Sequence, residues 1–169
     1  MTVEQMVGEY SNLLFKICVV MLADEQDTQD VIQETFCAYL EKQPQFADRE
    51  HEKAWLIRVA VNRCKDILRF RKRHPSISEE ELRGRGMDLP ADGESRQVLE
   101  ALWELPARQR AVIYLYYVEG YRVREIAEML RISDIHQHQE KHLTNMSRCY
   151  ILNSVVGGIT AMSAFSSAG

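Results

Sequence analysis

Cysteine is scarce and scattered: Cys18, Cys37, Cys64 and Cys149 are the only four in 169 residues, and none forms a Cys-x-x-Cys pair. That spacing argues against a zinc or disulfide framework and predicts free thiols at half-buried helix positions. Strand signals are missing, since no alternating apolar and polar run is bounded by hairpin turns. A signal peptide is missing too, because Met1-Thr2-Val3-Glu4-Gln5 is acidic and has no basic n-region. No apolar run is long and uninterrupted enough to span a bilayer, so the expectation is a cytoplasmic chain without membrane insertion. Excess positive charge is absent as well: 21 Lys and Arg against 25 Asp and Glu leave a formal charge of −4. This excludes a uniformly basic coat, and any nucleic-acid contact must come from local clusters. Finally, there is no nucleophile and base pair, phosphate loop or metal-ligand cluster, so neither an enzyme nor a metal or cofactor site is expected.

What is present is helical. Residues 3 to 73 carry three- and four-residue apolar periodicity with few breakers, predicting helices over about 3–22, 25–43 and 51–73. Pro75, Gly84, Gly86, Pro90 and Gly93, with the acidic run Glu79-Glu80-Glu81, then mark a flexible acidic linker over 75–94. Helical pattern resumes near Ser95. The expectation is an all-α chain of two small helical domains, 1–74 and 95–148, followed by an uncharged tail, 149–169, that reads as disordered.

In the first domain, Val31, Ile32, Phe36, Tyr39 and Leu40 form the apolar face of the second helix, and Asp27, Asp30, Gln33 and Glu34 its opposite face. The third helix turns Leu56, Val59, Ala60, Cys64, Ile67 and Leu68 inward. It leaves Arg58, Asn62, Lys65, Arg69 and Arg73 on one outward stripe. Such a stripe is ordinarily a solvated face, but it also neutralises phosphates at helical pitch. Trp55 at the head of that helix and Phe46 in the loop before it add aromatic surface for unstacked bases, and the Asn62 amide suits a base edge. The acidic face would repel phosphate, so it is either solvated or a docking patch for a basic partner.

In the second domain, Val98, Leu99, Leu102 and Leu105 predict a short amphipathic helix ending near Pro106. A second helix follows over about 107–119, burying Val112, Ile113, Leu115 and Tyr116, with Gly120 as its stop. Arg122 to Leu130 then reads as the first helix of a helix-turn-helix, with Ile126, Ala127 and Leu130 inward. Arg131 stands at the turn position that often takes positive φ, at a cost of about 1 kcal/mol for a residue other than glycine. Ser133 suits the N-cap of the next helix.

The run Asp27-Thr28-Gln29-Asp30-Val31-Ile32-Gln33-Glu34-Thr35-Phe36 and the helix from Ala54-Trp55-Leu56 through Val61-Asn62 to Leu68-Arg69 resemble region 2 of the extracytoplasmic-function sigma factors of bacterial RNA polymerase. Leu105 to Ser133 resembles the matching region 4, so the resemblance spans about 130 residues. It implies a sigma region 2 helical bundle and a sigma region 4 helix-turn-helix in a non-enzymatic subunit that directs promoter-specific initiation. Core polymerase and promoter DNA would be its partners, with an anti-sigma factor as a further one. By the same resemblance, Asp27, Asp30, Gln33, Glu34 and Phe36 would dock on the clamp helices of the polymerase. Phe46, Trp55, Arg58, Asn62, Lys65, Arg69 and Arg73 would capture and melt the minus-ten element, a non-template base being held out of the stack. The acidic linker would thread the polymerase cleft toward the RNA exit path.

Region 4 departs from the pattern after Ser133. The family expects a recognition helix rich in Arg and Lys, whereas Asp134 to Arg148 offers only Lys141 and Arg148 as cations, against Asp134 and Glu140. Arg122, Arg124, Ser133, Gln137 and Lys141 are the minus-35 candidates, and Gln137, Gln139 and Asn145 are able to pair with adenine edges. His138 and His142, at i and i+4, read as surface histidines. Phosphate contacts dominate affinity, so the sequence predicts weakened minus-35 binding. A frameshift or recombination that replaced the ancestral end would account for the break. Three readings result: a working sigma factor, a decoy that binds polymerase or an anti-sigma factor without reading promoters, or a plain helix-turn-helix regulator, which fits 105–133 but leaves the Asp27 to Phe36 patch unexplained.

Overall fold

A computed structural model of the chain describes residues 3–75, 81 and 93–131. The acidic linker, the stretch Asp134 to Arg148 with Gln137 and Lys141, Ser133 itself and the tail 149–169 lie wholly or almost wholly outside these residues. The chain divides into two compact units, Met1–Met87 and Asp88–Gly169. Among the described residues every regular element is a helix. None of these helices is long and apolar enough to cross a membrane.

The first unit is a bundle of α1 (Val3–Leu22), α2 (Glu25–Lys42) and α3 (Arg49–Arg73), each packed on the other two. Met6, Tyr10, Leu14, Ile17, Cys18 and Met21 line the inner face of α1 at helical spacing. From α3, Leu56, Ala60 and Cys64 meet them as expected. Ile57 and Val61 are buried as well, while Val59, Ile67 and Leu68 are only half-buried. The buried arc is wider than one stripe because α3 touches two helices rather than one. On α2, Leu40 proves exposed, at 43%, and Thr28 and Thr35 are buried in its stead. Their hydroxyls donate to the carbonyls of Asp24 and Val31, both at 2.7 Å, so burial leaves no polar atom unsatisfied.

Both later helices of this unit begin on an aspartate. The Asp24 carboxylate accepts from Asp27 N at 2.8 Å, and Asp48 accepts from His51 N at 2.9 Å. The second cap recruits Arg49 and Glu50, so α3 starts two residues before the predicted position. The backbone amide of His51 holds the Asp48 carboxyl below the ordinary carboxylate range, and the His51 ring adds to this. The left-handed residues Ala23 and Gln43 close α1 and α2.

The second unit contains α4 (Gly93–Trp103), α5 (Ala107–Tyr117) and α6 (Val123–Leu130). Leu102, Trp103, Val112, Ile113, Leu115, Ile126, Met129 and Leu130 form its core. Tyr116, expected inside, is 38% exposed, and Tyr114 is buried at 1%. The Tyr114 hydroxyl donates to Glu119 at 3.1 Å, which satisfies the one polar atom this burial brings in. Arg110 is tolerated inside because its Nε donates to the Leu105 carbonyl at 2.7 Å. Gly120, at φ 74°, makes the turn into α6, and Tyr121 N returns to Leu115 O at 3.0 Å. Arg131 takes the left-handed conformation at φ 51° that the helix-turn-helix pattern asked of it.

Candidate nucleic-acid interface

The basic stripe of α3 emerges from the three-helix packing. Asn62, Arg69 and Arg73 are exposed, and Arg58 and Lys65 are half-buried along the same helix. Lys65 Nζ donates to the Asn62 amide oxygen at 3.4 Å, Arg69 to Asp66 at 2.9 Å, and Arg73 Nε to the Arg69 carbonyl at 3.3 Å. These are exposed local contacts of small energy, so the groups can exchange them for phosphate oxygens.

Phe46 and Trp55 do come together, with ring centroids 6.0 Å apart. Tyr39, at the end of α2, completes the cluster, stacked on Phe46 at 6.2 Å and edge-on to Trp55 at 5.9 Å. All three rings are half-buried. Tyr39 and Phe46 line an open groove with Pro44, Gln45, Arg49 and Glu52. Periodicity places Tyr39 in the core, and in the sequence Glu52 is one acid among several in a helix's first turns. The one sequence signal for either was three aromatics clustered about the α2–α3 loop.

The α2 face is less uniform than its sequence suggests. Asp30 and Gln33 are exposed, Asp30 accepting from Gln26 at 3.3 Å. Asp27 is paired with Arg71 and Glu34 with Arg63, both arginines belonging to α3. Arg71 also donates to the Leu22 carbonyl at 3.0 Å, clasping the α1–α2 corner to the end of α3. Phe36, expected on the docking surface, is 8% exposed and belongs to the layer beneath it. Its position on the inner face of α2 is what sets the acidic residues outward.

In the second unit Arg122 is exposed at the N-cap of α6, where its backbone N–H donates to Glu125 at 2.7 Å. Arg124 is exposed and paired with Glu128 at 3.1 Å. These are the described minus-35 candidates. Both are cationic, and neither is buried.

The two units match two family models. Residues 6–74 match Sigma-70 region 2 and residues 95–134 match Sigma-70, region 4. The chain therefore belongs to the sigma-70 family of initiation factors. Its relatives narrow the group. It is 28% identical over 144 residues to the ECF RNA polymerase sigma factor SigX of Bacillus subtilis (strain 168), covering 79% of this chain and 74% of that protein. It is 29% identical over 140 residues to the ECF RNA polymerase sigma factor SigM of the same organism, covering 79% and 85%. The RNA polymerase sigma factor CnrH of Cupriavidus metallidurans matches at 29% over 124 residues, 64% of each chain. The chain is an extracytoplasmic-function sigma factor. No solved structure matches it significantly. The region 4 match stops at residue 134, where the sequence departs from the cationic pattern.

Proposed function

We propose that promoter-specific initiation by this sigma factor is carried mainly by its first unit. The α2 face, with Asp30 and Gln33 at its centre and Asp27 and Glu34 braced at its edges, docks on core RNA polymerase. The stripe of α3 then receives the phosphates of the minus-ten element, and the Tyr39, Phe46 and Trp55 cluster takes up a non-template base drawn out of the stack. The observation that carries this reading is the aromatic cluster itself: three half-buried rings beside a groove, at the head of a helix whose outer face is cationic. Stacking on such rings is worth about 1–3 kcal/mol per base and tolerates any base, so the cluster suits capture and melting.

The second unit contributes the first helix of a helix-turn-helix, and its sequence after Ser133 offers only Lys141 and Arg148 as Lys or Arg. We assign it a secondary part in promoter affinity, with Arg122, Arg124, Ser133, Gln137 and Lys141 as its DNA contacts. Sigma factors are non-enzymatic initiation factors, and no catalytic role is assigned to any residue here. Action in the cytoplasm, where the polymerase is, and control by an anti-sigma factor complete the proposal.

The test is transcription in vitro. Core polymerase with the full chain is presented with a duplex pool carrying a randomised promoter region, and the transcribed templates are recovered. The expected result is enrichment of a strong minus-ten motif with a weaker upstream one, and loss of transcription with Trp55→Ala. Assembly with core polymerase but no template-dependent transcription would overturn the proposal.

A further inference from the structure

Of the three rings in the cluster, Tyr39 has its polar end tied down, and the tie is a buried carboxylate. Glu52, in the first turns of α3, is 8% exposed, and its two oxygens serve two different helices. Oε2 accepts from the Tyr10 hydroxyl of α1 at 3.3 Å, and Oε1 accepts from the Tyr39 hydroxyl of α2. Both phenols are pushed up to about 12, Tyr10 chiefly by burial and Tyr39 chiefly by its hydrogen bond to Glu52. Both therefore remain donors throughout the neutral range. Holding three helices together does not require a charge at this point, since an apolar side chain of similar volume commonly does so as well or better. What a carboxylate adds is direction. A tyrosine ring fixed at Cα and again at its hydroxyl oxygen cannot swing, and Tyr39 is the ring against which both Phe46 and Trp55 are set.

We propose that Glu52 is a positioning residue for promoter opening: by fixing the Tyr39 ring through its hydroxyl, it holds Phe46 and Trp55 in the arrangement that accepts an unpaired base. This rests on the base-capture reading above. Tyr10 supplies an internal control, because it makes the same kind of bond to the same carboxylate while its ring is buried in the α1 core, outside the cluster. A purely structural Glu52 would make each tyrosine's effect on opening follow its effect on stability; a positioning Glu52 gives Tyr39 an effect on opening beyond its effect on stability and Tyr10 none.

The experiment uses holoenzyme assembled from core polymerase and the full chain, on a promoter duplex that the wild-type holoenzyme has selected from a randomised pool. Permanganate reactivity of minus-ten thymines reports opening, anisotropy of the labelled chain reports core binding, and thermal melting reports stability. Glu52→Ala is expected to lower opening about tenfold, the size of one lost hydrogen bond to a charged group, with core binding unchanged. Glu52→Gln, whose amide can still accept from one phenol and donate to the other, is expected to restore opening to within about threefold of wild type. Tyr39→Phe is expected to reduce opening about fivefold and Tyr10→Phe less than about twofold, although each deletes one such bond. Equal effects of the two tyrosine variants, tracking their melting temperatures, would overturn the proposal. So would normal opening with Glu52→Ala. If Glu52→Ala does not fold, the tyrosine pair decides alone. Trp55→Ala separates the layers of the argument: normal opening there removes the base-capture reading itself, whereas a defect there with normal Glu52→Ala and Tyr39→Phe removes only the positioning.

Discussion

On the function proposed above the two units share one task, presenting a helix to nucleic acid, and they meet it with unequal means. In the first, α3 is 25 residues long, starts on a side-chain cap and is packed against two other helices. In the second, α6 has eight residues, starts on an arginine whose guanidinium cannot accept a hydrogen bond, and ends on an arginine forced into the left-handed region. Its amphipathicity is nonetheless strong, with Ile126, Ala127, Met129 and Leu130 all buried. The difference teaches that burial of one face is enough to place a helix, whereas tolerance of load at its ends depends on who satisfies the terminal backbone groups.

Core truncation gives the largest effect that tests this contrast. Leu14 and Ile126 are both fully buried, one in each unit. Leu14→Ala and Ile126→Ala should each cost about 2–5 kcal/mol in their own unit. In calorimetry, the first should lower one transition and abolish binding to core polymerase, and the second should lower the other transition and leave that binding intact. A single transition shifted equally by both variants would show that the units do not unfold independently, and would break the comparison.

The clasp at the α1–α2 corner comes next. Arg71 is 13% exposed at its side chain and donates both to the Leu22 carbonyl and to Asp27. Arg71→Ala leaves that carbonyl and that carboxylate without their donor, and should destabilise the first unit by about 1–3 kcal/mol. Because Asp27 then loses its brace, affinity for core polymerase should fall as well, measurable by titrating the labelled chain. Arg63→Ala, which frees the more exposed Glu34, should have a smaller effect on stability.

A pH experiment addresses the helix starts. The Asp48 carboxyl titrates below its ordinary range because the His51 amide and ring favour its charged form. A folded pKa below the unfolded one means that the cap's contribution is fully present above the unfolded value. It is lost as pH falls through the lowered folded value. The first unit's stability should therefore decline on acidification through this window by more than that of Asp48→Asn, which still caps but does not titrate. Stability curves of the two proteins with the same acid slope would remove Asp48 as the cause.

These contrasts also explain what could be read from the residues in advance. The α1, α2 and α3 periodicities and the strained turn at Arg131 are local properties and legible in the sequence, whereas α5 ends at Tyr117 on a Val118 cap, ahead of the stop expected at Gly120, which makes the turn that follows. Thr28 and Thr35 were not legible, because a hydroxyl that bonds its own helix four residues back behaves as an apolar group, which composition conceals. Ile57 and Val61 lie beyond the single stripe that periodicity gives α3, and are buried because α3 packs against two neighbours. The site residues divide in the same way. Phe46 and Trp55 stand nine residues apart about one loop and could be joined by inspection. Glu52 acquires its role only from Tyr10 and Tyr39, 42 and 13 residues away, and the Arg63 and Arg71 pairings likewise need the folded bundle.

The smallest expected effect concerns Arg131, the second unit's counterpart of the left-handed Ala23 and Gln43 in the first. At φ 51° its Cβ crowds the backbone, a strain of about 1–2 kcal/mol that glycine would not feel. Glycine also loses more conformational freedom on folding, worth about 0.5–1 kcal/mol in the opposite sense. The net expectation for Arg131→Gly is a gain of about 0.5–1 kcal/mol in the second unit alone, read as a small rise in its melting transition. The same substitution removes a cation beside the region that would meet the minus-35 phosphates. If the second unit contributes to promoter affinity, binding at low salt should weaken even as stability rises, and the dependence of log K on log salt should become shallower by about one charge. If it contributes nothing, the salt dependence stays as in the wild type while the melting transition still moves. Stability and affinity thus separate at one residue, and the direction of the second decides how much of promoter reading the weaker unit retains.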